Sequence, residues 1–109
     1  MTGADWVSLG AKLHGAGGAD PRLDIAIAEA FGVPAGSYTE SIEDCRRLVA
    51  LALPGWHLHI GFAASGVFVY ASLSKGEASA SAESPTVPLA ILRALVAMKI
   101  SPSPLSPRE

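Results

Sequence analysis

The fold is decided by residues 56–73, which read Trp56-His-Leu-His-Ile-Gly-Phe-Ala-Ala-Ser-Gly-Val-Phe-Val-Tyr-Ala-Ser-Leu73. Apolar residues alternate with polar or small ones on both sides of Ala64-Ser65-Gly66, a pattern typical of a β-hairpin. With Ser65-Gly66 as a two-residue turn, the apolar residues of the two strands face one another: Phe62 with Val69, Ile60 with Ala71 and Leu58 with Leu73. A four-residue loop over 63–66 changes these partners but keeps the same residues on the apolar face.

A third strand is predicted over Glu77–Glu83, where Ala and Ser alternate strictly after a Lys75-Gly76 turn. Pairing across that turn places the alanines beside apolar residues of the second strand: Ala78 beside Leu73, Ala80 beside Ala71 and Ala82 beside Val69. Side chains of this size leave room for a helix to approach closely. The alternative is a low-complexity Ser/Ala loop.

Three helices are predicted near residues 21–31, 41–53 and 87–99. Capping residues mark where they begin: Asp20 with Pro21, Ser41 or Thr39, and Thr86 with Pro88. The predicted fold class is therefore α+β, a three-stranded antiparallel meander packed with about three helices in a sandwich-like arrangement.

The 109 residues are enough for one domain with one modest core. We assign residues 1–20 to an N-terminal segment with a short helix and a Gly-rich linker, and residues 21–100 to the α+β domain. Residues 101–109 form a Pro/Ser-rich tail that is predicted to be disordered. No strand precedes the Gly-rich linker, so a plain linker is favoured there over a phosphate-binding loop.

Composition excludes several classes of protein. Half of the residues are hydrophobic and 17% are charged, so the composition is too apolar for a disordered chain. The net charge of -2 argues against nucleic-acid binding, which would need an excess of Lys and Arg. The longest apolar segment, residues 87–98, contains Arg93 and is too short to span a bilayer. The single cysteine, Cys45, and an N-terminus without signal-peptide features predict a cytoplasmic protein.

His57 and His59 are the sharpest candidates for a site, because strand alternation puts both imidazoles on one face. His-x-His can hold a metal, but no third ligand lies at a diagnostic spacing, so no metal site is predicted. Phe68 and Tyr70 are predicted on the same face. We expect the protein's own helices to cover this face; the alternative is that these four residues form a binding surface.

No catalytic residue and no cofactor are predicted, so the chain is interpreted as a non-enzyme. It contains no Gly-x-Ser-x-Gly elbow, and Cys45 lies on the buried stripe of its helix.

The apolar arc of residues 89–100 is unusually broad, which indicates deep burial or a partner chain. For the second case, Leu92, Val96 and Ile100 are the candidate homodimer interface.

Three stretches resemble the phage ABA sandwich domain family, small phage and prophage proteins. They are Leu23-Asp24 through Ile27-Ala-Glu-Ala-Phe-Gly32, Tyr38-Thr-Glu-Ser-Ile42 and Ser84-Pro-Thr-Val-Pro-Leu-Ala-Ile-Leu-Arg-Ala-Leu95. The likeness covers about residues 22–100 and consists mostly of caps and core residues. It implies a phage or prophage origin, an α+β sandwich and action in the cytoplasm of an infected bacterial cell, and it implies no catalytic residue.

The function expected from these observations is that of a non-enzymatic phage or prophage accessory protein that binds a host or phage protein. A counter-defence inhibitor of the anti-CRISPR kind is one form of this hypothesis, and it depends on the resemblance. Two alternatives belong to other classes. One is a protein that binds or sequesters a small ligand such as a nucleotide on the His/Tyr/Phe face, and the other is a self-assembling structural module.

Overall fold

The computed structural model describes residues 5–64 and 66–100, which form a three-stranded antiparallel sheet and four helices. The elements follow one another as α1 (Trp6–Gly15), α2 (Pro21–Phe31), α3 (Ile42–Ala52), β1 (His57–Phe62), β2 (Val69–Lys75), β3 (Ala78–Ser84) and α4 (Val87–Ile100). The predicted α+β class is confirmed, with the expected three helices over residues 21–100 and α1 before them. The predicted tail, residues 101–109, lies outside the described residues. None of the described helices is both long and apolar enough to cross a membrane.

The helices begin where side chains can accept hydrogen bonds from their first free amides. The Asp20 carboxylate accepts from the backbone N–H groups of Arg22 and Leu23, and Pro21 is the first residue of α2. The Ser41 hydroxyl accepts from the Asp44 N–H at 3.1 Å, so Ser41 rather than Thr39 caps α3. The starts predicted for these two helices are confirmed.

The register of the first hairpin is the predicted one, with Phe62 opposite Val69 and Leu58 opposite Leu73. The second hairpin differs from the prediction, because Leu73 lies opposite Ala80 rather than Ala78. The turn consists of residues 76–77 instead of 75–76, and Gly76 has a φ of 63°, which favours glycine. A shift of two residues keeps every side chain on its predicted face, so the alanines still face the core.

Helix α4 lies at the centre of the molecule, between the sheet on one side and α1 and α3 on the other. Nine of its fourteen residues are buried. Leu92 and Val96 have exposed fractions of 0% and 1%, so the candidate dimer interface is wrong for these two residues; Ile100 is 46% exposed. A helix that is covered on both sides needs an apolar surface all round, which explains the broad arc without a second chain.

Helix α1 belongs to the same core, although the sequence analysis assigns residues 1–20 to a separate segment. Leu9 and Leu13 are buried against α4, and the Trp6 and Phe31 rings lie 4.8 Å apart between their centroids. Helix α2 packs on α1 in turn.

Two polar clusters join elements that are distant in sequence. The Arg93 guanidinium of α4 donates to the carbonyl oxygens of Leu13, His14 and Ala16 at the end of α1, and to that of Glu83 on β3, over 2.6–3.3 Å. It thus adds donors to carbonyls at the end of the helix, where the Leu13 carbonyl also accepts from the Ala16 N–H, and partial burial lowers the pKa of Arg93.

The second cluster joins the start of α2 to the turn before α3. Thr39 is buried, and its hydroxyl donates to the Asp24 carboxylate at 2.7 Å and accepts from the Asp20 N–H at 2.7 Å. The Thr39 N–H also donates to the Asp24 carboxylate at 2.7 Å. Thr39 therefore has its polar groups satisfied inside the fold.

Candidate functional site

The face of the sheet turned away from α4 is open. Among residues 5–64 and 66–100, helix packing on the sheet comes from α4, which contacts β2 and β3 on the alanine face. The expectation that the protein's own helices cover the second face is therefore wrong. The physical reason is that the helices pack on one another: α4 contacts the sheet, α1 and α3 pack on α4, and α2 packs on α1.

Strand pairing arranges the open face in three rows that cross β1, β2 and β3: His57–Ser74–Ser79, His59–Ser72–Ser81 and Gly61–Tyr70–Glu83. Side chains opposite one another on an antiparallel pair have Cβ atoms about 5 Å apart. On this face β1 thus carries two exposed imidazoles and β2 carries the Tyr70 ring, and the rest is hydroxyl groups with a carboxylate at one corner.

Tyr70 is held in place by both of its neighbours on β1. Its hydroxyl lies 3.0 Å from His59 Nε2, and the two ring centroids are 5.7 Å apart. A Cβ added to Gly61 would lie 2.9 Å from the Tyr70 ring, so the ring occupies the space over the glycine. The absent side chain at position 61 therefore lets the aromatic ring lie flat across the strand.

The structure brings together three of the four residues predicted to form a binding surface. His57, His59 and Tyr70 share the open face, whereas Phe68 lies before the first residue of β2, where strand alternation no longer holds. Phe68 is 41% exposed and lines a separate groove of about 560 Å³ with Val7 of α1 and Ile100 of α4.

Beside the open face, a second groove of about 630 Å³ runs between α3 and β1. The wall from α3 consists of positions 46, 49, 50 and 53, which form one stripe of a helix. The apolar part includes Val49, Leu53 and Trp56, and Arg46 lies at the rim. His57 and His59 line the other wall, so the groove and the open face meet along β1.

The outer edge of β1 has unpaired backbone groups. The Ala63 N–H donates to the Phe68 carbonyl, and every second pair along this hairpin then exchanges hydrogen bonds. Gly61, His59 and His57 thus bond to β2, while the N–H and C=O groups of residues 58, 60 and 62 point outward. Within the described part of the chain nothing bonds to these outward groups. The edge of β1 is therefore free to pair with another strand.

Two of the chemistries considered from the sequence, metal binding and attack by the Cys45 thiol, can be compared with the geometry. Over the described ranges, no three His, Cys, Asp or Glu side chains come together in a way that could hold a metal ion. Cys45 is buried as predicted, and burial raises the pKa of its thiol to about 12, so it is poorly suited to act as a nucleophile.

Comparison with protein-family models, with curated proteins and with solved structures gives no match to this chain. The resemblance to the phage ABA sandwich domain family stays a prediction, and the function has to be argued from the surface itself.

Proposed function

We propose that the protein acts by binding another macromolecule through the open face of its sheet, with contacts centred on the β1 side. The observation that carries this proposal is the open face itself: within residues 5–64 and 66–100, the helices pack together and leave one side of the three-stranded sheet without a helix over it. This face carries a half-buried tyrosine ring and two exposed imidazoles, and aromatic side chains are enriched at the centres of contact surfaces.

The geometry around Tyr70 favours binding because the ring is already ordered. Gly61 provides the space beneath it and His59 bonds to its hydroxyl, so little side-chain freedom remains to be lost on association. Ordered aromatic side chains near the centre of an interface commonly contribute most of its binding energy. Tyr70 and His59 are the proposed centre of the contact, with His57 next to them.

The resemblance stated above supports a partner in an infected bacterial cell. We therefore include a counter-defence inhibitor, which blocks a host protein by occupying one of its surfaces, as the specific form of the proposal. This part depends on the resemblance and on no residue of the open face.

Site-specific photo-crosslinking tests the proposal. A photoreactive amino acid is placed at His57 or at Ser81, both exposed on the open face, and separately at Glu29, which is exposed on α2. In lysate of a bacterial host, we expect discrete cross-linked products from positions 57 and 81, none from position 29, and loss of these products in Tyr70→Ala. Equal products from all three positions, or none from the open face, would contradict the proposal.

A further inference from the structure

We infer that the edge of β1 binds an extended acidic segment of the partner, which adds to the sheet as a fourth strand in the groove between β1 and α3. This inference rests on the proposed function and specifies the partner chemistry at the border of the open face. Strand addition of this kind obtains affinity from main-chain hydrogen bonds and specificity from alternate side chains.

The backbone of β1 provides the first half of the site. The outward N–H and C=O groups of Leu58, Ile60 and Phe62 repeat at every second residue and are unpaired within the described residues. They offer three donors and three acceptors along one line, which is the pattern that an incoming strand of about five residues satisfies. A strand at the edge of a sheet that keeps this row free is a template for pairing.

The α3 wall provides the second half. In an added strand, alternate side chains point to opposite faces, so one set enters the groove and the other lies beside His57 and His59. The groove offers apolar contacts from Val49, Leu53 and Trp56. Its volume of about 630 Å³ is enough for two aliphatic side chains of that first set.

Charge complementarity selects the partner. Arg46 lies at the rim, and the Lys75 ammonium lies 3.4 Å from the position that a Cβ would take on Gly55, at one end of the groove. Neither Arg46 nor Lys75 pairs with a carboxylate in the described part of the chain, and no carboxylate lines the groove. These two cations therefore attract acidic side chains of a partner to the groove. A second copy paired through its own β1 would instead bring two Arg46 side chains and four imidazoles to one seam.

The test titrates the full chain with a capped seven-residue peptide, Glu-Thr-Val-Thr-Val-Thr-Glu, and follows each backbone amide by ¹H–¹⁵N NMR. Its alternation puts both valines and the two terminal glutamates on the groove side. We expect saturable shifts that are largest for the outward amides of Leu58, Ile60 and Phe62 and smaller for the inward amides of His57 and His59. The charge-reversed peptide Lys-Thr-Val-Thr-Val-Thr-Lys is expected to bind at least 10-fold more weakly.

Two substitutions on α3 provide a matched pair. Arg46→Glu should weaken binding of the acidic peptide at least 10-fold, whereas Arg47→Glu, with the same change in net charge outside the groove, should change it less than two-fold. Unperturbed amide signals of α4 confirm folding, and Arg46→Gln replaces Arg46→Glu if they are perturbed.

Equal losses in the two variants, shifts spread over the whole surface, or no saturable shift at β1 would overturn the inference. So would a concentration-dependent shift of the β1 amides without peptide, because a second copy would then occupy the edge. If cross-links from positions 57 and 81 persist in any of these cases, the open-face function stands and only strand addition fails.

Discussion

Arg93 gives the most direct test of how this fold is held together. Its guanidinium connects three elements, because it donates from α4 to the end of α1 and to β3. We predict that Arg93→Met, which keeps most of the aliphatic stem and removes the donors, loosens α1 from the core.

The magnitude follows from the burial of the individual bonds. The bonds to the carbonyls of Leu13 and Ala16 are partly buried, while those to His14 and Glu83 are exposed and can be replaced by water. Each partly buried bond contributes about 1–1.5 kcal/mol, and the positive charge at the end of α1 about 0.5 kcal/mol. The free energy of unfolding should fall by about 3 kcal/mol, which corresponds to roughly 15 °C in Tm for a domain of this size.

Urea unfolding measures this loss. Trp6 of α1 reports on docking, because its ring packs against Phe31 of α2 and the Lys99 ammonium of α4 lies 5.8 Å from the ring centroid. In a Trp56→Phe background, Trp6 fluorescence follows docking of α1 while far-UV circular dichroism follows the whole chain. We expect the two transitions to coincide in the parent and to separate in Arg93→Met, with the fluorescence change at lower urea. The stability of Arg93→Lys should lie between those of the parent and Arg93→Met, since lysine keeps the positive charge but loses the planar set of donors.

The control is Arg47→Met, which removes an exposed ion pair to Asp44 at 3.2 Å and should cost about 0.5 kcal/mol or less. A loss in Arg93→Met no larger than this, with coincident transitions, would refute the role assigned to Arg93.

Three further predictions concern single contacts. Gly61→Ala should lower the free energy of unfolding by about 1–2 kcal/mol, because the new Cβ would lie 2.9 Å from the Tyr70 ring. Adding Tyr70→Ser should recover most of this loss in urea unfolding, and a loss that stays in the double variant would contradict the proposed clash. Thr39→Val keeps the shape but leaves the Asp20 N–H without its acceptor, so calorimetry should show a loss of about 2 kcal/mol, and a neutral result would count against the buried cluster. Burial raises the pKa of the Cys45 thiol from 9.0 to about 12, so its contribution to stability is complete below pH 9 and is lost as the pH rises toward 12 while only the unfolded chain ionises. Stability above pH 9 should fall more steeply in the parent than in Cys45→Ala, by up to about 1.4 kcal/mol per pH unit, and parallel curves would show that the thiol is not protected.

The features that the sequence predicts correctly, the starts of two helices and the first hairpin, depend on residues close together in the chain. The starts of α2 and α3 depend on Asp20, Pro21 and Ser41, whose effect is confined to one helical turn, and the first hairpin has large apolar residues that differ along the strand. The register predicted for β3 was wrong because residues 78–82 repeat Ala and Ser, so two pairings that differ by two residues bury the same kinds of side chain.

The features that sequence reasoning missed depend on contacts between distant residues. Arg93 appeared only as a charge that interrupts an apolar helix, yet three of its four acceptors lie about eighty residues earlier. Asp24 and Thr39 are fifteen residues apart and meet only because α2 folds back on the turn before α3. Of the candidate site, alternation predicted the shared face of His57, His59 and Tyr70, but whether a helix covers that face depends on how the helices pack on one another.

The central position of α4 also has a consequence for biosynthesis. Ribosomes deliver Val87–Ile100 only after the sheet, α1 and α3 have all been made, and those elements have no common surface to pack on until it arrives. The nascent chain therefore carries its apolar stripes uncovered until α4 has been made, and chaperones can reach them during that time. A message truncated before codon 87 would yield a polypeptide without a core, which cellular proteases would remove.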